Sequence, residues 1–323
     1  MSNPTGTILV TGGTIGLGYG CALRIAQQCP QYQVLIASRS NKDNAAVSIN
    51  EITGHSNVEY LKLDLSSLAK VRAFAADYAK KGYPPMKALV LNAGLQILDL
   101  GYTEDKIEST FAINHVGHAL LFYLMRPFFA EEARIVIVAS GTHDPAQKSG
   151  LPDAIYNSAE ELALPTKETE KYQGRQRYAT SKLCNVMWTY ALQRRLEKTP
   201  GKKWTVNAFD PGLLPGTGLA RDYSSIVQFI WNHVLPRTIW LLRLLISPNI
   251  HSPKESGASL ARLAVGDDLK GVSGKYYEGQ NPIPSSKDSE VVEKQEDLWE
   301  WTVKRIAKDE NESREFESLW LLP

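Results

Sequence analysis

The stretch "TILVTGGTIGLG" (residues 7–18) decides the fold. A short apolar run breaks into a glycine-rich turn that opens a segment of helical period, with Gly12, Gly16 and Gly18 in a G-x-x-x-G-x-G spacing. Glycines at these points let the backbone turn sharply, bring a pyrophosphate close to the main chain and let the next helix pack on the strand. The helix N-terminus then faces the phosphates. The loop residues Gly12, Thr14, Ile15, Gly16, Leu17 and Gly18 are therefore expected to cradle a dinucleotide.

Outward from this turn, short Val/Ile/Leu-rich runs recur: "YQVLIASR" (32–39), "VEYLKLDL" (58–65), "ALVLNAG" (88–94), "RIVIVAS" (134–140) and "TVNAFDPG" (205–212). Longer segments of helical period lie between them, for example 105–129 and 174–198. Strands buried on both faces and joined by crossover helices predict an α/β, Rossmann-type, doubly wound parallel sheet of about seven strands, with ligands at the carboxyl ends of the strands. We read residues 1–323 as one such domain with three additions. A polar insert spans 144–173, read as an active-site flap or an exposed excursion. An apolar segment, 222–251, is expected to form a substrate lid. A charged tail, 282–323, carries one helical stretch around "EDLWEWTVKRIAK" and is expected to fray after it.

Lys+Arg total 36 against Asp+Glu 35, a net charge of +1, and no basic cluster is interleaved with aromatics, so a nucleic-acid partner is not expected. Cys21, Cys29 and Cys184 have no metal-ligand spacing; reduced thiols and no metal site are expected. "MSNPTGTILVTGG" has no charged region followed by an apolar run of signal-peptide length, which predicts a cytoplasmic protein. Within the lid segment, "SIVQFIWNHVLPRTIWLLRLLI" (225–246) is strongly apolar but interrupted by Asn232, His233, Pro236, Arg237 and Arg243, which argues against a spanning helix. It reads as a lid or a surface making weak membrane contact, or equally as an amphipathic helix pair packed on the domain.

At the end of the second run, "ASRS" (37–40) has no acidic residue to accept ribose hydroxyls. Arg39, with Ser38 beside it, suits a ribose 2′-phosphate that a carboxylate would repel, so NADP(H) is favoured over NAD(H). Asp64, followed by Leu65, is placed to receive the adenine amino group, to cap the following helix, or both. In "YATSK" (178–182), Tyr178 and Lys182 stand four apart, on one face of a helix, so that phenol and ammonium can converge.

Taken together, "TGGTIGLG", Asp64, "LNAG" (91–94), Asn114, Ser140, "YATSK" and "DPG" (210–212) resemble the short-chain dehydrogenase/reductase family across about residues 5–280. The stretches "INHVGHALL", "VASGTHDP", the insert before the tyrosine and "DPGLLPGTGLAR" resemble the branch of retinol dehydrogenases and protochlorophyllide reductase-like proteins. The resemblance implies a catalytic set of Asn114, Ser140, Tyr178 and Lys182. Tyr178 would exchange a proton with the substrate oxygen, its phenol lowered by Lys182 and the positive nicotinamide. Ser140 would bond the same oxygen, Lys182 would hold the nicotinamide ribose, and Asn114 a water linking the lysine to solvent. Asn92, Ala93 and Gly94 would flank the adenosine ribose; Pro211 and Gly212 would shape the nicotinamide loop. Thr217, one residue off the family spacing, would be the candidate for the carboxamide contact.

Leu213 and Leu214 stand where protochlorophyllide reductases carry a cysteine, which argues against light-driven ring reduction. The expected substrate is a bulky hydrophobic carbonyl or alcohol (retinoid, steroid, polyketide or other polycyclic), with carbon–carbon double-bond reduction or a non-catalytic NADP(H)-binding module as rivals. His115 and His118 read as packing or surface residues, and His143 as a residue that either lines the substrate entrance or does not. The helix opened by YATSK is apolar on two sides, one of which is expected either to face a partner subunit in a homodimer or to lie under the insert.

Overall fold

The computed structural model describes residues 3–199, 201–218 and 224–318. Residues 219–223, shared between the "DPGLLPGTGLAR" stretch and the expected lid, and the tail beyond 318 lie outside them. The strands are β1 (Gly6–Thr11), β2 (Tyr32–Ser38), β3 (Val58–Lys62), β4 (Met86–Leu91), β5 (Phe129–Val138), β6 (Lys203–Asp210), β7 (Lys275–Glu278) and β8 (Asn281–Ile283). They form one sheet in the order β3-β2-β1-β4-β5-β6-β7-β8. The first seven are parallel, and β8 closes the edge antiparallel to β7. This is the Rossmann-type sheet expected, with one added edge strand, where Pro282 withholds no ladder hydrogen bond that a central strand would need.

Alternate strand residues feed two cores, as the pleat requires. Ile8 and Val10 join Cys21, Ile25, Ile49 and Leu260, from the layer of α1 (Gly16–Gln28), α2 (Ala45–Thr53) and, later in the chain, α10 (Pro253–Val265). Leu9 faces the opposite layer: α3 (Leu68–Lys80), α4 (Ser109–Phe111) running through a π turn (Ala112–Val116) into α5 (Gly117–Met125), α6 (Ala159–Ala163), α7 (Gly174–Leu196) and α11 (Val292–Ile306). The chain order reverses between β1 and β4, which opens the crevice where such sheets bind ligands.

The helical stretch expected around "EDLWEWTVKRIAK" is present, but the chain does not fray directly after it. Helix α11 packs along α7, and α12 (Glu310–Ser318) continues the layer, with Phe316 buried and stacked on Tyr123 at 4.4 Å. Trp299 stacks on Trp188 at 6.2 Å, and the Arg195 guanidinium lies 3.9 Å from the centre of the Trp299 ring. The face of α7 that a partner subunit was expected to cover is thus covered by the chain's own C-terminal helix, which leaves that argument for a homodimer without a surface.

The insert divides in two. Gln147, Lys148, Ser149 and Leu151 reach the crevice, whereas Tyr156, Ala159 and Ala163 are buried against α11, where Asp297 accepts from the Tyr156 hydroxyl (2.5 Å) and the Ala159 amide (2.9 Å). The apolar segment forms α8 (Ser225–Phe229), a π turn, a 3₁₀ turn and α9 (Ile239–Leu245). A helix pair is present; no residue of either helix is fully buried, while Ile239, Leu241, Leu242 and Arg243 of α9 are half-buried. Among the described residues no helix is long and apolar enough to cross a membrane.

Candidate active site

A cavity of about 970 Å³ runs along the carboxyl ends of the strands, with the glycine-rich turn at one end and α8 at the other. Every cofactor-binding and catalytic residue expected from the sequence lines it except Asn114. At the phosphate end, Gly12 and Gly16 have φ of +66° and +56°, in the left-handed region. A Cβ on Gly12 would stand 2.9 Å from Asn92 Nδ2, so the turn can lie this close to β4 only without a side chain. Asn92 Nδ2 in turn donates to the Thr11 carbonyl (2.7 Å), locking the ends of β1 and β4 together beneath the cradle.

Arg39 is exposed and at the cavity rim, with no carboxylate partner among the described residues. Ser38 Oγ lies 3.0 Å from Thr14 Oγ1. Asp64 does not cap α3: Ser67 does, accepting from Lys70 N at 3.2 Å, while Asp64 binds Ser66 (2.6 Å) and Lys70 Nζ (2.9 Å). Burial works to raise the Asp64 carboxyl, but those bonds together hold it below its usual range. Thr217 faces Gly16 from across the loop, within 3.5 Å of where a Gly16 Cβ would be, and its hydroxyl donates to the Leu214 carbonyl (2.9 Å).

Tyr178 and Lys182 project from the first turns of α7. The helix starts at Gly174, where a Cβ would stand 2.2 Å from the Ile97 carbonyl oxygen; this close approach demands glycine. Arg177 then fixes the start through the buried Glu108 (3.2 Å) and the Leu98 carbonyl (3.1 Å). Lys182 Nζ donates to the Val138 carbonyl at the end of β5 (3.0 Å) and lies 5.7 Å from the Tyr178 ring centre. Burial lowers the Lys182 ammonium to about 8, against an opposing pull from Asp210. Burial pushes the Tyr178 phenol up, the Asp210 charge pushes it further, and the Ser140 hydrogen bond works the other way. Among the residues themselves, burial and the Asp210 charge thus raise Tyr178, whereas the lowering expected from the sequence includes the positive nicotinamide beside Lys182.

Asn114 sits in the π turn, a helix irregularity often found at functional sites. Its Oδ1 accepts from Leu95 N (2.9 Å), and its Nδ2 donates to Leu95 O (2.9 Å) and Ser181 Oγ (3.0 Å). The side chain is thus spent on protein groups and does not reach the cavity. It clamps the loop after β4 against α7, so that Gly94 lies beside both Asn114 Oδ1 and Lys182 Nζ. His115 and His118 are packing residues: burial lowers both to about 3, and they bind Thr302 (3.0 Å) and Thr11 (2.9 Å).

His143 does not line the entrance. It is buried behind Ser140, with Nδ1 2.7 Å from the Ser140 carbonyl and Nε2 accepting from Ser286 N at 3.1 Å. The second bond leaves the proton on Nδ1, so His143 donates to the backbone of Ser140 and braces it.

Asp210 is a site residue that sequence reasoning passed over, although its place at the end of β6 in "DPG" was visible. It is buried and lines the cavity, with Oδ1 accepting from Gly212 N (3.0 Å) and Oδ2 from Asn249 Nδ2 (2.9 Å). Asn249 Oδ1 meets His251 Nε2 (3.1 Å), and His251 Nδ1 meets Arg243 Nη2 of α9 (3.2 Å), which also binds Glu255 (2.9 Å). A polar chain therefore ties the catalytic floor to α9. Replacing the carboxylate (Asp210→Asn) removes a charge that raises Tyr178, so the limb of the pH profile for alcohol oxidation, which needs the deprotonated phenol, is expected to move to lower pH. A limb that stays in place would dismiss the charge as a bystander.

A cradle for a dinucleotide beside a Ser, Tyr and Lys set defines the class of nicotinamide-dependent oxidoreductases built on this sheet. The short chain dehydrogenase family pattern matches residues 6–152. Retinol dehydrogenase 13 from Homo sapiens is 30% identical, the match covering 97% of this chain and 88% of that one. Polyprenol dehydrogenase from Homo sapiens is also 30% identical, covering 92% and 83%. The crystal structure of 3-oxoacyl-[acyl-carrier protein] reductase from Brucella melitensis in complex with NAD superposes with a TM-score of 0.61 at 19% identity, covering 85% of this chain and 95% of that one, and so shares the fold. The chain belongs to the short-chain dehydrogenase/reductase family of oxidoreductases, in the branch that holds the retinol dehydrogenases and protochlorophyllide reductase-like proteins.

Proposed function

We propose that the chain is an NADP(H)-dependent oxidoreductase that transfers a hydride between the nicotinamide and a carbonyl or alcohol of a bulky hydrophobic substrate. The observation that carries this reading is one continuous cavity. Its floor holds Ser140, Tyr178 and Lys182, and beyond them its wall turns apolar through Leu151, Leu213, Val227, Trp231 and Ile246. Flat polycyclic or long-chain carbonyl compounds suit such a wall.

The glycine cradle, with Gly12 and Gly18 too close to Asn92 for any side chain, fits a pyrophosphate; Arg39 would hold a 2′-phosphate, Asp64 the adenine, and Thr217 the carboxamide. When bound there, the nicotinamide supplies or accepts the hydride. Tyr178 gives the proton to the carbonyl oxygen in reduction and takes it in oxidation. Ser140 donates a hydrogen bond to the same oxygen and stabilises the charge that develops on it. Lys182, held beside Gly94, stabilises the phenolate and is placed to bond the ribose hydroxyls. Asn114 and His143 act through other groups, one by positioning the Gly94 loop and the other by bracing Ser140.

The test is NADPH consumption across polycyclic and long-chain ketones, aldehydes and quinones, with NADH in parallel and products identified by mass. New alcohols formed with NADPH support the reading. A saturated carbon–carbon bond without a new alcohol would replace it with double-bond reduction, and binding without turnover in either direction would replace it with a binding module. In the same assay Arg39→Ala is expected to lower the NADPH-over-NADH preference about 10- to 100-fold, the value of a charge-assisted contact to phosphate. An unchanged ratio would remove Arg39 from cofactor selection.

A further inference from the structure

We propose that α8 and α9 form a docking surface for an anionic lipid bilayer, which would place the mouth of the cavity at the membrane face. Nine of the seventeen large apolar side chains exposed among the described residues fall between 226 and 246. A cluster of this density on an exposed surface marks an interaction site. Ile226 is 74% exposed, Phe229 60%, Trp240 69%, Leu244 76% and Leu245 71%. None of these five lines the cavity, so closing over a substrate would not bury them; only Val227 and Ile246 of the nine serve both surfaces.

Charge selects the occupant. From 224 to 254 there is no Asp or Glu, while Arg237, Arg243 and Lys254 all fall in this stretch. Arg237 and Lys254 have no carboxylate partner among the described residues and share a shallow groove with Trp240; the groove's one carboxylate, Glu255, is held by Arg243 at 2.9 Å, which leaves the groove net cationic. An apolar ridge beside unpaired cations, with a tryptophan at their level, matches the layered chemistry of a bilayer surface: acyl chains below, indole at the boundary, anionic headgroups above. A second copy of this chain would match it poorly, because identical cations would be brought together across the contact. Two features hold the surface at the cavity mouth. Trp231 Nε1 donates to the Thr217 carbonyl (2.9 Å), and Arg243 donates to the Ile250 carbonyl (2.6 Å) and enters the chain to Asp210.

Vesicle binding needs no turnover, so the inference stands or falls apart from the proposed reaction. The experiment is co-sedimentation of the full chain with phosphatidylcholine vesicles and with vesicles containing phosphatidylserine. Wild type is expected to bind the anionic vesicles several-fold more tightly. The exposed double substitution Trp240→Ser/Leu244→Ser should weaken that binding at least about 10-fold, since both apolar side chains would be lost from the inserted face. Arg237→Glu should narrow the difference between the two vesicle types. Unchanged NADPH binding by the variants confirms that they are folded. Three results would overturn the proposal: no sedimentation with either vesicle, equal binding to both, or a concentration-dependent dimer that the double substitution dissolves while vesicle binding is unaffected.

Discussion

Tyr178→Phe is expected to reduce turnover about 10³-fold while leaving NADPH affinity nearly intact. Tyr178 lines the cavity, its phenol bonds Ser140 and its ring centre lies 5.7 Å from Lys182 Nζ, so phenylalanine keeps the shape and removes only the proton donor. General acid–base groups contribute about 10²- to 10⁴-fold, which sets the scale. Burial and the Asp210 charge both raise this phenol, so at neutral pH the residues alone hold it protonated, the form that reduction of a carbonyl requires. The measurement is kcat for whichever carbonyl the substrate panel yields, with NADPH binding followed separately by fluorescence. A variant within tenfold of wild type would assign the proton to another group. A variant that loses NADPH binding would mean that the phenol holds the cofactor rather than serving the chemistry.

Trp299→Ala is expected to lower stability by about 3–5 kcal/mol without displacing any group that lines the cavity. Trp299 is buried between α11 and α7, stacked on Trp188 and covered by the Arg195 guanidinium, which Glu296 holds at 2.5 Å. Removing the indole leaves a cavity and strands the cation that lies over it. Chemical denaturation followed by circular dichroism gives the number. A loss under about 1 kcal/mol would show that α11 rests on α7 without stabilising it, and the covered face would then again be open to a partner subunit.

Much of the site was legible because its signals are local. The glycine spacing at 12, 16 and 18 follows from one turn, and the Tyr178–Lys182 pair from one face of a helix. The Val/Ile/Leu runs announced parallel strands because burial on both faces leaves no polar alternation. Asn114 is implied by the family pattern as the holder of a water, but the partners its side chain has are the Leu95 backbone and Ser181, which no periodicity reveals. Asp210 stood in plain view in "DPG", yet its reach depended on Asn249, thirty-nine residues further along.

By itself the sequence determined the class of sheet and marked the glycine-rich turn and the Tyr178–Lys182 pair that the structure brings to one cavity, since each depends on residues that are neighbours along the chain or one helical turn apart. The tertiary structure alone decided which surfaces remain free. Helix α7 is apolar on two sides, and only folding shows that α11, the helical stretch of the charged tail, takes the second side. His143 stands three residues after Ser140, but its role as a brace rests on Ser286. The segment 225–246 is apolar either way, and only the tertiary structure shows which of its apolar side chains, Ile226, Phe229, Trp240, Leu244 and Leu245 among them, stay exposed. The physical reason is common to all three: hydrophobic pattern records that a side chain gains by leaving water, whereas the group that covers it is chosen by contacts far apart in sequence.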